Sequence, residues 1–233
     1  MLPGLDDGPR TEEQALALAT RAHRAGTTVL VATPHRNPRW QPSADVIAAA
    51  AERLRAGLAE AGVPLEIETG AELALEQAAE LDDGELARLR LGRGPWLLLE
   101  SPYGAAGPEL ERVVDDLLAR GHRILFAHPE RSPALRDRPG RLRALVERGV
   151  RCSVTAASLE GRFGAQAHWS SLELLRAGLA HSVDSDAHDA EARPPGLGEG
   201  MAAAIARLPA VAGRAEQLTT SFGAAVLAGT APD

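Results

Sequence analysis

Four times along this chain an amphipathic helix ends at a glycine and leads into a short apolar strand. Ala15, Leu18, Ala19 and Ala22 line one face of the first helix, and Thr11 and Gln14 stand before it at capping-box spacing. Gly26 stops that helix ahead of "TTVLVATPH". In the second unit Pro108 opens a helix striped by Leu110, Val113, Val114, Leu117 and Leu118, and Gly121 closes it before "RILFAHPER". The third helix runs from about Gly140 to Gly149 into "VRCSVTA", and the fourth from about Ser171 to Gly178 into "LAHSVDSDAH". Between the first and second units lie a helix from about Ser43 to Ala61 and the strands "LEIETGAE" and "PWLLLE". Strands alternating with helices pair in parallel through right-handed crossovers. The pattern leaves two α/β architectures open, a doubly wound sheet and a (β/α) barrel. No linker rich in Gly, Ser or Pro divides the chain, so residues 1–233 are expected to form a single domain.

Composition narrows the function classes. With 233 residues, 45% of them hydrophobic, there is room for one sizeable core, but aromatics are only 3%, so that core rests on Leu, Val and Ala. A net charge of −7 gives no basic footprint for nucleic acid. No apolar run approaches the roughly 18 residues of a membrane span, and the first residues lack the basic and apolar regions of a secretory signal. Cys152 is the only cysteine, which excludes an internal disulfide; the chain reads as cytoplasmic. There is no GxGxxG turn after a first strand and no Walker loop.

The residues at the strand ends carry the chemistry. "VLVATP" ends at His35, "LEIETGA" at Glu72, "WLLL" at Glu100, "ILFA" at His128 and "HSVDS" at Asp186-Ala187-His188. A parallel barrel gathers the C-terminal ends of its strands on one rim, so these residues would converge there. Histidine and carboxylate without cysteine suit divalent Mn, Fe or Zn. Each residue alone has an ordinary explanation as a loop or cap residue; five strand ends that all carry a metal-capable group do not. His23, His122, His168 and His181 fall outside this pattern. Cys152 lies in an apolar strand and is expected to be a buried, inert thiol. Trp40, in the loop "RNPRWQPS", reads either as a wall of a substrate mouth or as surface packing.

The segments "LPGLDDGPRTEEQALALA", "VLVATPH", "GAEL", "LLLESP", "ILFAHPER", "VTAASLEGRFG" and "DSDAHDAEARPP" cover nearly the whole chain. In that order they resemble the PHP (polymerase and histidinol phosphatase) superfamily, and within it the bacterial metal-dependent protein-tyrosine phosphatases of capsule and exopolysaccharide biosynthesis. The resemblance implies a distorted (β/α)7-type barrel holding up to three divalent metal ions, manganese foremost, with Fe, Zn or Mg as alternatives. Carried over by motif, Asp7, His35 and His188 would hold one metal. Glu72, Glu100 and His128 would hold a second with Glu72 bridging, and Glu72 and Asp186 would belong to the third. Arg131 and Arg193 would grip the phosphate. The implied reaction is hydrolysis of phosphotyrosine on a protein, with the tail of a capsule-assembly tyrosine kinase as the expected substrate. A small-molecule phosphatase resembling histidinol phosphatase is the alternative enzyme, and a catalytically impaired binding module the non-enzymatic one.

The chain departs from that family in one respect. The family's H-x-H motif, and the first barrel strand that carries it, would lie immediately upstream of Met1. Truncation is the expected explanation, because loss of an inner strand leaves parallel neighbours with unpaired backbone groups. A chain starting at Met1 is then expected to bind fewer than three metals and to be weakly active or inactive. Asp7 is the expected ligand of "LDDG", with Asp6 orienting the loop.

Overall fold

Three central strands, β5 (Trp96–Glu100), β6 (Arg123–Ala127) and β7 (Arg151–Thr155), are buried along almost their whole length. Near-continuous apolar runs of this kind belong to parallel strands covered on both faces. The computed structural model describes residues 1–104, 106–230 and 232. Five further strands complete the sheets: β1 (Val29–Ala32), β2 (His35–Arg36), β3 (Glu66–Thr69), β4 (Glu72–Leu73) and β8 (Ser182–Asp184). Around them pack α1 (Glu12–Arg24), α2 (Ala44–Glu60), α3 (Leu75–Glu80), α4 (Asp83–Arg88), α5 (Glu109–Ala119) and α6 (Pro133–Arg136). The C-terminal half adds α7 (Pro139–Glu147), α8 (Ala156–Leu159), α9 (Ala165–Arg176), α10 (Gly198–Arg207) and α11 (Phe222–Ala228). Among the described residues no helix is long and apolar enough to cross a membrane.

All strand pairs are parallel. One ladder is β1-β3, and the other runs β2-β4-β5-β6-β7-β8. The two ladders are one strand pair bent in the middle, since Gly70 N–H donates to Ala32 O and Glu72 N–H to Pro34 O, each at 3.1 Å. The bend sits where Pro34 has no N–H to give. It also needs Gly70: a Cβ there would lie 2.9 Å from Leu91 Cδ2 and 3.1 Å from the Arg90 carbonyl. With each bent pair counted as one strand, sheet order equals chain order. A doubly wound sheet reverses its order at a switch point, whereas a (β/α) barrel keeps it. The order is therefore that of the barrel; among the described residues β8 is paired only with β7.

Helices α1 and α5 form where the sequence pattern places them. α1 is capped by Thr11, whose side chain accepts from Gln14 N, and it buries Ala15, Leu18, Ala19 and Ala22. Gln14 reaches back to Arg10 N–H rather than to that of Thr11, so the capping box is displaced by one residue. α5 buries Leu110, Val113, Val114 and Leu117, with Leu118 at its edge. α9 begins at Ala165 rather than near Ser171. Gly164, in front of it, supplies a positive φ but no side-chain cap, so the sequence carries no start signal there.

The sheet has two faces. Leu97, Leu99, Ile124, Phe126, Cys152 and Val154 point outward into the main core beneath the helices. Trp96, Leu98, Leu125 and Ala127 alternate with them on the inner face, where Phe222 and Val226 of α11 cover them. Above this inner layer, toward the C-terminal strand ends, a cavity of about 230 Å³ opens between apolar Leu98 and Leu125 and the polar residues His35, Glu72, Asp184 and Asp186.

His181, just before β8, is a structural histidine. Its Nδ1 accepts the Cys152 N–H at 3.1 Å and its ring lies 6.1 Å from that of Phe222. Burial, reinforced by Arg151 and Arg214, depresses its pKa to about 4. The unfolded value is about 6.5, so the unfolded chain binds the extra proton over this interval. The stabilising contribution is complete above pH ~6.5 and disappears as pH falls toward 4. Urea midpoints of the wild type and His181→Gln, measured from pH 7 to pH 4.5, should converge on acidification. Parallel pH dependence in the two proteins would contradict this.

Candidate metal centre

Strand register places the first candidate ligands. His35 is paired with Glu72, and Glu72 with Leu98, so all three share the inner face. Glu100 lies two residues beyond Leu98 and returns to that face. Ser153 pairs with both Ala127 and Ser182, which puts Asp184, two residues on, above the same cavity. His128 should point outward by simple alternation. It does not, because its backbone turns left-handed (φ 38°, ψ 52°) and its Nε2 meets Glu72 Oε1 at 2.9 Å. Asp186 has φ 48°. These two are the only non-glycine residues with positive φ among the described residues. Such conformations cost energy and persist where surrounding contacts over-determine them, commonly at functional sites.

The loops bring in the rest. Asp6 folds the N-terminal loop: its carboxylate accepts Gly8 N–H at 2.9 Å and His35 N–H at 3.1 Å. This fastens the loop to β2 and brings Asp7 Oδ1 to 3.6 Å from His35 Nε2 and 3.2 Å from His188 Nε2. After β8, His188 N–H donates to the Arg193 carbonyl at 3.0 Å, so the loop doubles back and Arg193 reaches Asp186. Arg131 donates to the same Asp186 oxygen at 2.7 Å.

Two trios could each hold a cation. Asp7, His35 and His188 offer ligand atoms within 4.8 Å of one another, and so do His35, Glu72 and Glu100. Ligand atoms about 2.0–2.2 Å from one ion stand roughly 3–4 Å apart, and the Asp7–His35, Asp7–His188 and His35–Glu72 separations of 3.6, 3.2 and 3.8 Å fall in that range. His35 joins Glu72 and Glu100 in the second trio, where the motif order places His128; His128 adjoins the group through Glu72. The electrostatics fit a cation as well. His35 Nδ1 faces Glu72 at 3.8 Å while its Nε2 faces Asp7, yet a neutral imidazole carries a single proton. The buried atoms His35 Nδ1, His128 Nδ1, His188 Nε2 and Asp184 Oδ1 have no hydrogen-bond partner among the described residues. Burial and the charge of Glu72 raise the pKa of Glu100. Burial opposes a charge on His128, but the Glu72 hydrogen bond overrides it and raises its pKa to about 9. Burial likewise opposes ionisation of Asp186, yet Arg193 foremost, with His128, His188 and Arg131, keeps its carboxyl below the usual range.

Tyr103, Phe163 and Asp184 adjoin the cluster, and the sequence assigns them no role. Arg131 is sandwiched between aromatic rings, 5.3 Å from the Tyr103 centroid and 4.2 Å from that of Phe163, and Arg193 lies 5.9 Å from Phe163. Tyr103 also stacks on His128 at 5.7 Å. Trp40 stacks on His35 at 5.9 Å and so walls the cluster. Asp184, which accepts from the Ser153 hydroxyl, has its pKa pushed up to about 7 by burial and by Asp186. Tyr103, three residues past Glu100, and Phe163, two residues before Ala165, had adjacency to site motifs as their only signal. His23, His122, His168 and His181 all stand outside the cluster. Cys152 is buried, and burial with Glu130 raises its thiol pKa far above the ordinary range.

Glu130 holds the turn that carries His128 and Arg131. It is fully buried, and one oxygen accepts Thr155 N–H at 3.0 Å and the Ser158 hydroxyl at 2.6 Å. This ties the turn to the end of β7. Glu130→Ala would strand both donors and should cost about 1–3 kcal/mol in urea denaturation. Glu130→Gln keeps the acceptor and should cost less; equal losses in the two variants would contradict the assignment.

Residues 1–224 match the family model for capsular polysaccharide synthesis, CpsB/CapC. The tyrosine-protein phosphatase YwqE of Bacillus subtilis (strain 168) is 34% identical over 196 residues, 83% of this chain and 76% of the relative. The tyrosine-protein phosphatase CpsB of Streptococcus pneumoniae is 27% identical over 199 residues, 82% of this chain and 81% of the relative. A crystal structure from work on YwqE from Bacillus subtilis and CpsB from Streptococcus pneumoniae, described as unique metal-dependent tyrosine phosphatases, superposes with a TM-score of 0.86 at 28% identity. That likeness covers 100% of this chain and 93% of the other.

Proposed function

This chain belongs to the CpsB/CapC family of capsular polysaccharide synthesis, and from that membership we propose that it is a metal-dependent phosphatase that hydrolyses phosphotyrosine on proteins. The observation that carries this reading is the convergence of histidines and carboxylates from five strand ends and the N-terminal loop beside two arginines. Cys152, the sole cysteine, is buried inside β7 and offers no nucleophile.

In this reading Asp7, His35 and His188 hold one ion. Glu72 and Glu100 hold a second with His35 and His128 beside them, and Asp186 serves a further position with Glu72. A donor set of nitrogen and oxygen without sulfur suits manganese, with iron, zinc or magnesium as alternatives. Bound there, divalent ions supply Lewis acidity, offsetting phosphoryl charge and acidifying water. The remaining tasks fall to the chain. Arg131 and Arg193 stand side by side on Asp186, with N–H groups to spare for the non-bridging oxygens of a phosphate. The rings of Tyr103 and Phe163 fix the plane of Arg131 and so pre-orient its fork. Tyr103, half exposed beside His128, adds an apolar edge to the approach. Water attacks phosphorus, the bond to the phenolic oxygen breaks, and tyrosine and inorganic phosphate leave. A phenol with a pKa near 10 departs more readily than an aliphatic alcohol.

Residues 1–233 act in this account as one PHP-type phosphatase domain. Its physiological substrate is the phosphorylated tail of a capsule or exopolysaccharide tyrosine kinase, which it meets in the cytoplasm. Turnover of phosphotyrosine peptides and p-nitrophenyl phosphate with Mn²⁺ by a form that also carries the H-x-H motif, and not of histidinol phosphate, is the expected result. Turnover of histidinol phosphate alone would assign a small-molecule phosphatase instead.

His35→Ala and His188→Ala should each lower kcat at least about 100-fold and reduce the bound metal measured by elemental analysis. Arg131→Ala and Arg193→Ala should lower kcat/KM by roughly 100-fold while leaving the metal content intact. Unchanged metal in the histidine variants, or lost metal in the arginine variants, would contradict the assigned roles.

A further inference from the structure

Beside the metal centre lies a second cleft of about 340 Å³, within the range of ligand-binding sites. Arg193 lines it, and Ser185 borders both this cleft and the metal cavity, so the two meet where a phosphate would be gripped. Arg21 and Arg24 of α1 and Arg162 from the turn after α8 converge on it from two other segments. Four arginines face one another here in a chain of net charge −7.

Two carboxylates, Glu160 and Glu199, line the same cleft. Glu160 is paired with Arg162 at 3.8 Å, and Arg162 also donates to the Ala192 carbonyl. Arg193 is engaged with Asp186. Arg21 and Arg24 are different: both are exposed, and neither guanidinium has a hydrogen bond or ion pair among the described residues. The dipole of α1 favours cations in its last turn and accounts for basic residues there. It does not account for their meeting Arg162 and Arg193 around one concavity. The cleft therefore carries an excess of uncompensated positive charge, next to the one place where the reacting group must sit.

We propose that this cleft docks acidic side chains flanking the phosphotyrosine, so that the enzyme selects phosphotyrosine sequences rich in Asp or Glu. The inference rests on the phosphotyrosine reading above. Phosphate and metal cluster fix the reacting residue, and Arg21 and Arg24 read the carboxylates of the adjoining peptide. Electrostatic complementarity of this kind contributes selectivity and association rate more than raw affinity, and it weakens with salt.

The test uses two peptides built on a non-hydrolysable difluoromethylphosphonate analogue of phosphotyrosine, one with glutamate flanks and one with glutamine flanks. Their binding to the metal-loaded full chain is read by fluorescence anisotropy. The wild type should bind the glutamate peptide roughly three- to tenfold more tightly at low salt. In Arg21→Ala/Arg24→Ala that ratio should fall to about one, and in Arg21→Glu/Arg24→Glu it should invert. A ratio of one in the wild type, or an unchanged ratio in both variants, overturns the proposal. Turnover of p-nitrophenyl phosphate and a phosphotyrosine peptide by a form that also carries the H-x-H motif, measured alongside, separates the two claims. Turnover without acidic preference overturns the cleft alone, whereas absence of turnover overturns the phosphatase reading with it.

Discussion

A buried carboxylate, Glu72, is the group around which the rest of the site is arranged. It sits on a short inner strand with His35 in register on one side and Leu98 on the other. One of its oxygens holds His128 and the other faces His35. An ionised carboxylate is costly to bury unless positive charge compensates it. Here Glu72 is packed close to Glu100, and the two repel. The protein supplies part of the compensation through His128, and the geometry leaves room for the remainder to come from cations between the trios. The left-handed backbone at His128 is understandable on this view. Without it the ring would point into the outer core, and the Glu72 carboxylate would lose its hydrogen bond to His128.

A second constraint is the sharing of Asp186. Arg131 comes from the turn after β6 and Arg193 from the loop after β8, and one carboxylate oxygen gathers both. Two guanidinium groups would otherwise repel across an empty cleft. Asp186 holds them together, and Tyr103 and Phe163 lie against Arg131, so under the proposed function an incoming phosphate would meet donors already in place. Pre-arranged donors of this sort stabilise developing charge without reorganisation during the reaction. The same Arg193 borders the basic cleft, so in the proposed account recognition of the phosphate is coupled to recognition of the peptide around it.

Much of this was legible in the sequence because residue type and position coincided. His35, Glu72, Glu100 and His128 each come directly after an apolar strand, and parallel strands bring their C-terminal ends together whatever the details of the helices. The helical stripes of α1 and α5 were readable for the same reason: burial keeps a 3.6-residue period. Other features depended on tertiary contacts that leave no local trace. The need for glycine at position 70 in the bend comes from the close approach of Leu91 and the Arg90 carbonyl. The early start of α9 comes from a glycine with no capping side chain. The aromatic sandwich around Arg131 joins three loops remote in sequence, and the left-handed turns at His128 and Asp186 occur at residues whose type does not announce them. The presence of His35 beside Glu72 and Glu100, in addition to His128, likewise comes from strand register, which motif order does not encode.

In the proposed site, divalent ions occupy the space between these inward-facing side chains. The decisive measurement is a crystal structure of the manganese-loaded protein, with anomalous differences collected at the Mn edge. Anomalous peaks are expected between Asp7, His35 and His188 and between His35, Glu72 and Glu100. Well-ordered side chains at these positions with no anomalous density among them would refute it.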